Sequence, residues 1–336
     1  MIKIGVIGFG YWGPNLVRNF VNADGCVVKT VADLNEGRLK VVKKLYPHIE
    51  VTASVDAILN DPGIDAVIAA VPVSMHYEIG RRALLKGKHI LIEKPMTNSR
   101  RDALKLIDLA ARKKKVLMVD HTFLYTGAVR KIKELIAAGQ VGALQYFDST
   151  RINLGLFQYD INVIWDLACH DVSILMHLFG ERPRRVCATG ISHTRNGIEN
   201  IAYITLYFSS KKIAHLHCSW TSPVKIRRIL IGGDRKMIVY DDIEPAEKVK
   251  IYDSGYEVTR REKERMLVDY RIGDIYAPKI DQTEPLLEMA RDFISAITRG
   301  TVPVSNAGVG LEVVSILEAA HRSIRQNGKE ILLAQR

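Results

Sequence analysis

Three groups of residues in this 336-residue sequence have the types and spacing to do chemistry. The first is Gly8-Phe9-Gly10-Tyr11-Trp12-Gly13. In a G-x-G-x-x-G run the first glycine permits a tight turn, the second lets the backbone approach a pyrophosphate, and the third lets a helix pack close to a strand. The N–H groups at the helix start then face the phosphates. Pro14 suits that start, because its missing N–H is not needed there. Asp33 follows Gly10 by 23 residues. A carboxylate there can accept both ribose hydroxyls and repels a 2′-phosphate, so NAD is expected over NADP. Arg38 close behind could take a 2′-phosphate instead, and Asp33 could simply cap the next helix.

The second group is Glu93-Lys94-Pro95, which ends the apolar run Ile90-Leu91-Ile92. In an open parallel sheet, ligands bind outside the carboxyl ends of the strands. Lys94 would therefore stand beside the redox ring, where it could polarise or protonate a substrate oxygen. The third is Asp166 with His170, four residues apart and so on one face of a helix. Histidine exchanges protons near neutrality, and a nearby carboxylate orients it and raises its basicity. An ordinary helical ion pair is the plainer alternative. His177 reads as a packing or surface residue. His215 and His217 alternate on one side of a strand without a third converging ligand, so no metal site is expected. Cys26, Cys169, Cys187 and Cys218 are scattered and read as buried thiols rather than a disulfide framework.

The elements that must position these groups change character along the chain. Lys3–Ile7, Val27–Ala32, Ala66–Val71, His89–Ile92 and Val116–Val119 are apolar runs separated by stretches of helical period, such as Asp102–Arg112. That pattern predicts a parallel sheet covered on both faces, a doubly wound α/β domain over residues 1–121. Residues 122–336 read as a second, α+β domain, with terminal helices able to pack back on the first. Its segments at 143–153, 186–193, 201–208, 213–220, 228–231 and 237–240 are strand-like, and short turns between them favour a large, mainly antiparallel sheet. One strong helix, Val163–Phe179, interrupts it, and two more close the chain near Glu284–Arg299 and Gly310–Arg325. Ser254–Asp281 reads as a polar, irregular excursion or flap.

The glycine loop, Pro72 and His76 after the fourth strand, and Glu93-Lys94-Pro95 resemble the Gfo/Idh/MocA family of glucose–fructose oxidoreductase and inositol dehydrogenase. The similarity extends over nearly the whole chain, and the Asp166-x-x-x-His170 helix matches one in that family's second domain. The resemblance implies an NAD(P)-dependent oxidoreductase acting on a secondary alcohol or ketone of a sugar, polyol or nucleotide-sugar. It places Lys94, Asp166 and His170 in catalysis, and Val71, Pro72, His76, Glu93, Lys94 itself and Pro95 with the glycine loop at the cofactor. It implies that Lys94 and His170, from separate lobes, face one pocket, and that the Lys94–Pro95 bond is often cis. Substrate-binding candidates are Tyr125, Arg151, Asn153, Tyr159, Asn162 and Trp165, polar and aromatic groups suited to a hydroxylated ring. A non-catalytic dinucleotide sensor on the same scaffold is the main rival, followed by a reductase of another ring system.

Composition sets the remaining bounds. Lysine and arginine number 48 against 37 acidic residues, a net charge of +11. The basic residues are spread thinly and no nucleic-acid motif accompanies them, so a small anionic ligand is favoured over nucleic acid. Arg260, Arg261, Lys263 and Arg265 could meet a diphosphate, although Glu262 and Glu264 between them argue for a solvated surface. No apolar run is long enough for a membrane span, and Met1–Gly8 enters a strand pattern directly, so a cytoplasmic protein is expected. An alternating sheet with one face to cover predicts a homodimer or homotetramer through that sheet.

Overall fold

Six short strands carry the first half of the chain: β1 (Ile2–Ile7), β2 (Cys26–Ala32), β3 (Glu50–Thr52), β4 (Ala66–Ala69), β5 (His89–Glu93) and β6 (Leu117–Asp120). The computed structural model describes residues 1–155, 157–158, 160–262 and 265–334, with the backbone alone for 257–262 and 265–267. The six strands lie in the order β3-β2-β1-β4-β5-β6, every neighbouring pair parallel. Helices α1 (Gly13–Val21), α2 (Glu36–Leu45), α3 (Val55–Leu59), α4 (Val73–Leu85) and α5 (Arg100–Lys113) connect them. All four residues of β4 are buried, as a central parallel strand covered on both faces requires. The chain runs outward from β1 to β3, then returns to β4, which creates a switch point between β1 and β4 where such sheets bind ligands.

Local chemistry agrees with these boundaries. The Ser99 side chain accepts the Asp102 N–H at 3.2 Å and starts α5; Lys114 ends it in the left-handed region. Ala103, Leu106, Leu109 and Ala110 form the buried stripe of α5. Residues Met1–Thr126 and Thr283–Ser315 make up this compact unit. Within it, Phe20 of α1 meets Phe293 edge to face at 6.3 Å.

The second unit comprises Gly127–Gln282 and Ile316–Arg336. It opens with α6 (Gly127–Ala137) and β7 (Leu144–Ile152), followed by a π-helical turn, Ile164–Ala168, that runs straight into α7 (Cys169–Phe179). Strands β8 (Arg185–Ile191), β9 (Ile201–Tyr207), β10 (Ile213–Ser219), β11 (Ile226–Gly233), β12 (Met237–Asp241), β13 (Val249–Glu262), β14 (Arg265–Tyr276) and β15 (Ile331–Leu332) complete it. Helices α8 (Pro285–Arg299) and α9 (Ala307–Arg325) precede β15 in the chain.

Nine strands form one sheet in the order β14-β13-β12-β11-β7-β10-β9-β8-β15. All neighbours are antiparallel except β7 and β10. Alternation decides which face is covered: Ala202, Ile204 and Leu206 of β9 are buried, whereas Tyr203 is 43% exposed.

Two expectations are corrected. Residues 254–262 and 265–276 are not irregular: they belong to the long pair β13–β14, whose register shifts twice. The segment Val163–Phe179 is not one uniform α-helix, since its first turn is π-helical. Among the described residues no helix is long and apolar enough to cross a membrane.

Candidate active site

In the first unit, chemistry collects at the carboxyl ends of the parallel strands. Gly8 follows β1 with φ +96°, and a Cβ there would lie 2.1 Å from the Ala70 carbonyl oxygen. A Cβ on Gly13 would lie 2.4 Å from the Gly8 carbonyl oxygen. Gly10 differs: a Cβ there would meet nothing nearer than the Arg38 guanidinium at 3.7 Å. The protein's own packing therefore accounts for two of the glycines but not for Gly10, which leaves open a place for something that approaches the backbone. This is the fit a pyrophosphate requires.

Asp33, 9% exposed, stands beside the loop. Its Oδ2 accepts the Phe9 N–H at 2.7 Å and its Oδ1 the Asn35 N–H at 2.8 Å. Arg38 reaches Oδ2 at 3.4 Å. The carboxylate is thus tied to the glycine loop, and it is Asn35 whose side chain caps α2, accepting the Arg38 N–H. Tyr11 and Trp12 stack at 6.4 Å, with Tyr11 88% exposed. The Trp12 indole N–H donates to Asp120 Oδ2 at 3.1 Å, linking the loop to the end of β6. The Thr122 hydroxyl donates to the other oxygen of Asp120.

Glu93 pairs in register with Asp120. Burial, reinforced by the Asp120 charge, pushes the Glu93 carboxyl well above its usual range. Lys94 and His121 are the next residues off these two strand ends. His121 is fully buried, and burial followed by the Lys94 charge holds its pKa down to about 3. The Lys94–Pro95 bond is cis.

His76, on α4, is also fully buried. Its Nδ1 lies 2.8 Å from the Pro95 carbonyl oxygen and its Nε2 2.8 Å from that of Val71. Each ring nitrogen faces a backbone carbonyl, to one of which a neutral ring can donate, so His76 links the segment after β4 to Pro95. Burial pushes its pKa down, against the pull of the two carbonyls. Tyr125, 4% exposed, donates to Asp292 at 2.7 Å and accepts the Ser305 N–H at 3.1 Å.

In the second unit, Asp166 sits in the π-helical turn and His170 in the first turn of α7. A π turn needs about 4.4 residues, so a spacing of four still returns close to one face, and such turns occur often at functional sites. The Trp220 indole N–H donates to Asp166 Oδ2 at 3.0 Å. Asn162 starts the turn: its Oδ1 accepts the Trp165 N–H at 3.3 Å, and its amide donates to Glu199 at 2.8 Å. Arg151 is 3% exposed, and its Nη2 and Nε donate to Asp171 Oδ1 at 2.6 and 3.0 Å. The Ser149 hydroxyl donates to the same carboxylate at 2.6 Å. This buried pair anchors α7 to β7.

Sequence reading thus named the residues of both clusters but not their engagements. Arg151 and Asn162 are held within the protein, Trp165 is 8% exposed, and Asn153 is partly exposed. Tyr159, Lys263 and Glu264 lie outside the described residues, and the side chains of Arg260, Arg261, Glu262 and Arg265 are likewise undescribed. His215 and His217 stack on Tyr203, and no group of metal-ligating side chains occurs among the described residues. Two residues were missed. Asp120 ends a parallel strand, as Asp33 follows one, and that position was the available signal. Trp220 lies 54 residues from Asp166, and nothing in local spacing links them.

The parallel sheet, the glycine loop and the acid beside it define a dinucleotide-binding protein of the Rossmann class. Residues 2–121 match the oxidoreductase family with an NAD-binding Rossmann fold, and residues 129–239 match the GFO/IDH/MocA C-terminal domain. Together these span more than half of the chain, and the protein belongs to the Gfo/Idh/MocA family of NAD(P)-dependent oxidoreductases. It is 27% identical to a scyllo-inositol 2-dehydrogenase (NADP(+)) of Bacillus subtilis, over 97% of this chain and 94% of that one. It is 30% identical to a UDP-N-acetylglucosamine 3-dehydrogenase of Acidithiobacillus ferrooxidans, over 57% of this chain and 58% of that one. The fold matches that of an aldose–aldose oxidoreductase of Caulobacter crescentus with a TM-score of 0.83 at 18% identity, covering 99% of each chain.

Proposed function

We propose that the protein moves hydride between a secondary alcohol, or the corresponding ketone, of a cyclic sugar, polyol or nucleotide-linked sugar and NAD. The observation that carries this reading is the pair Asp166 and His170 on one face of a helix, with the Asp166 carboxylate held by a buried indole. Relatives that act on inositol and on UDP-N-acetylglucosamine set the substrate class.

The glycine loop, Asp33 and the segment from Val71 to His76 would hold the dinucleotide, whose nicotinamide supplies the hydride-accepting carbon. His170 takes the proton of the reacting hydroxyl. Asp166 orients the imidazole and supports its positive charge. Lys94 donates a hydrogen bond to the same oxygen and stabilises it as the carbonyl forms. In reduction the proton moves the opposite way. Asp33 favours NAD, because its carboxylate faces the loop where a 2′-phosphate would be repelled.

Cytoplasmic location and assembly through the nine-stranded sheet belong to the same proposal. Ile191, Tyr203 and Ile213 leave its outer face partly apolar, and a second copy would cover it. Light scattering that finds only monomer would count against the assembly.

The test of function is a panel of inositols, free sugars and UDP-N-acetylglucosamine, each with NAD⁺ and NADP⁺, followed by absorbance of the reduced nicotinamide. Turnover with at least one cyclic polyol or sugar, and a lower KM for NAD⁺ than for NADP⁺, is expected. No turnover across the panel with dinucleotide bound would overturn the substrate class, and equal or reversed cofactor preference would overturn the role of Asp33.

A further inference from the structure

Trp220 follows β10 directly and is 1% exposed. Its main chain is fixed on both sides: its N–H donates to the Asn200 carbonyl at 2.9 Å, and its own carbonyl accepts the Gly155 N–H at 3.0 Å. The Phe157 ring lies 5.6 Å from the indole, tilted by 53°. An indole nitrogen can only donate, and when buried it needs an acceptor. Here that acceptor is Asp166 Oδ2 at 3.0 Å.

A carboxylate has little intrinsic preference about its terminal torsion. One oxygen held by a rigid donor removes that freedom and sets the direction of the other oxygen. The need is greater here because Asp166 lies in a π turn, where the backbone departs from regular α-helical bonding.

We propose that Trp220 is a positioning residue for Asp166: its indole N–H holds the carboxylate in the orientation in which it acts on His170. The inference rests on the reading of Asp166 and His170 as the proton-handling pair.

The test removes one N–H and keeps the shape. In the full-length protein, Trp220 is replaced by 3-benzothienylalanine, in which sulfur stands for the indole N–H; Trp220→Phe is the genetic counterpart. The His170 ring titration is followed by NMR of histidine-labelled protein, which needs no substrate. Asp166→Asn is expected to lower the titration midpoint. The benzothienyl protein should move it part of the way in the same direction, and the replacement should have no effect when Asp166→Asn is already present.

NADH affinity should stay at the wild-type value in the benzothienyl protein, which should fold with a melting temperature lowered by no more than the loss of one hydrogen bond. With a substrate from the panel, kcat should fall roughly ten- to hundredfold, the span of one hydrogen bond to a charged group, with KM within about twofold. A His170 midpoint left at the wild-type position, or a shift of equal size in the Asp166→Asn background, overturns the inference. If the titration coupling is seen but Asp166→Asn and His170→Ala turn over at the wild-type rate, it is the catalytic reading that fails.

Discussion

Replacing His121 by glutamine should change how stability depends on pH. His121 is fully buried and its pKa is held down to about 3. In the unfolded chain the same ring titrates near 6.5. The folded state therefore binds the proton more weakly, so the stability this ring confers is fully present above pH 6.5 and is lost progressively as pH falls toward 3.

At pH 5 the unfolded ring is almost wholly protonated and the folded ring almost wholly neutral, a difference worth about 2 kcal/mol relative to pH 7. His76, His89 and His177 are also shifted down by burial. They titrate alike in wild type and variant, so they cancel in the comparison. Glutamine has no titration in this range. Denaturant unfolding of His121→Gln and wild type at pH 7 and pH 5 measures the gap in stability. The wild type should lose about 2 kcal/mol more than the variant between the two pH values. A gap that is the same at both, within about 0.5 kcal/mol, would refute a neutral buried His121.

Two further outcomes follow from the packing. Gly10→Ala should fold with an unchanged melting temperature yet bind NADH more weakly, because its Cβ meets nothing in the protein closer than 3.7 Å. Gly8→Ala should lower the melting temperature as well, since its Cβ would lie 2.1 Å from a carbonyl oxygen at φ +96°; thermal melts and NADH fluorescence titration of both variants check the contrast. Arg151→Met leaves the buried Asp171 carboxylate without its cation and should cost about 3–5 kcal/mol in denaturant unfolding. A loss below about 1 kcal/mol would mean that the pair does not anchor α7.

Residues that act through their neighbours along the chain are legible in the sequence alone. The glycine run, Asp33 and the strand-end Lys94 follow from the rules of an open parallel sheet, because strand, turn and helix are contiguous there. Strand β3 is not legible in this way, since Glu50–Thr52 is too short to show a period. The β13–β14 pair is hidden for another reason. Several of its apolar residues are exposed, such as Tyr270 at 80% and Ile272 at 88%, so the usual sign of an inward face is weak. The π turn at Ile164–Ala168 leaves the hydrophobic pattern of a helix intact and so reads as α.

Long-range engagements are the least visible. Arg151 looks like a residue for a hydroxylated ligand until Asp171 and Ser149 are seen around it. Likewise the sequence does not show that the His76 ring nitrogens face the carbonyls of Val71 and Pro95. In each case the residue type is informative about polarity, while the partner that uses that polarity is set by packing.

The proposed function has one substrate hydroxyl served by Lys94 and His170 while its hydride passes to the dinucleotide. It is tested most directly by single-turnover transfer from a substrate deuterated at the carbinol carbon, comparing wild type with His170→Ala and Lys94→Met. The account predicts deuterium at C4 of the reduced nicotinamide in wild type. It also predicts a loss in rate of about 10²- to 10⁴-fold in His170→Ala, with a substantial loss in Lys94→Met and NADH affinity retained in both. Wild-type transfer rates in either variant would contradict it.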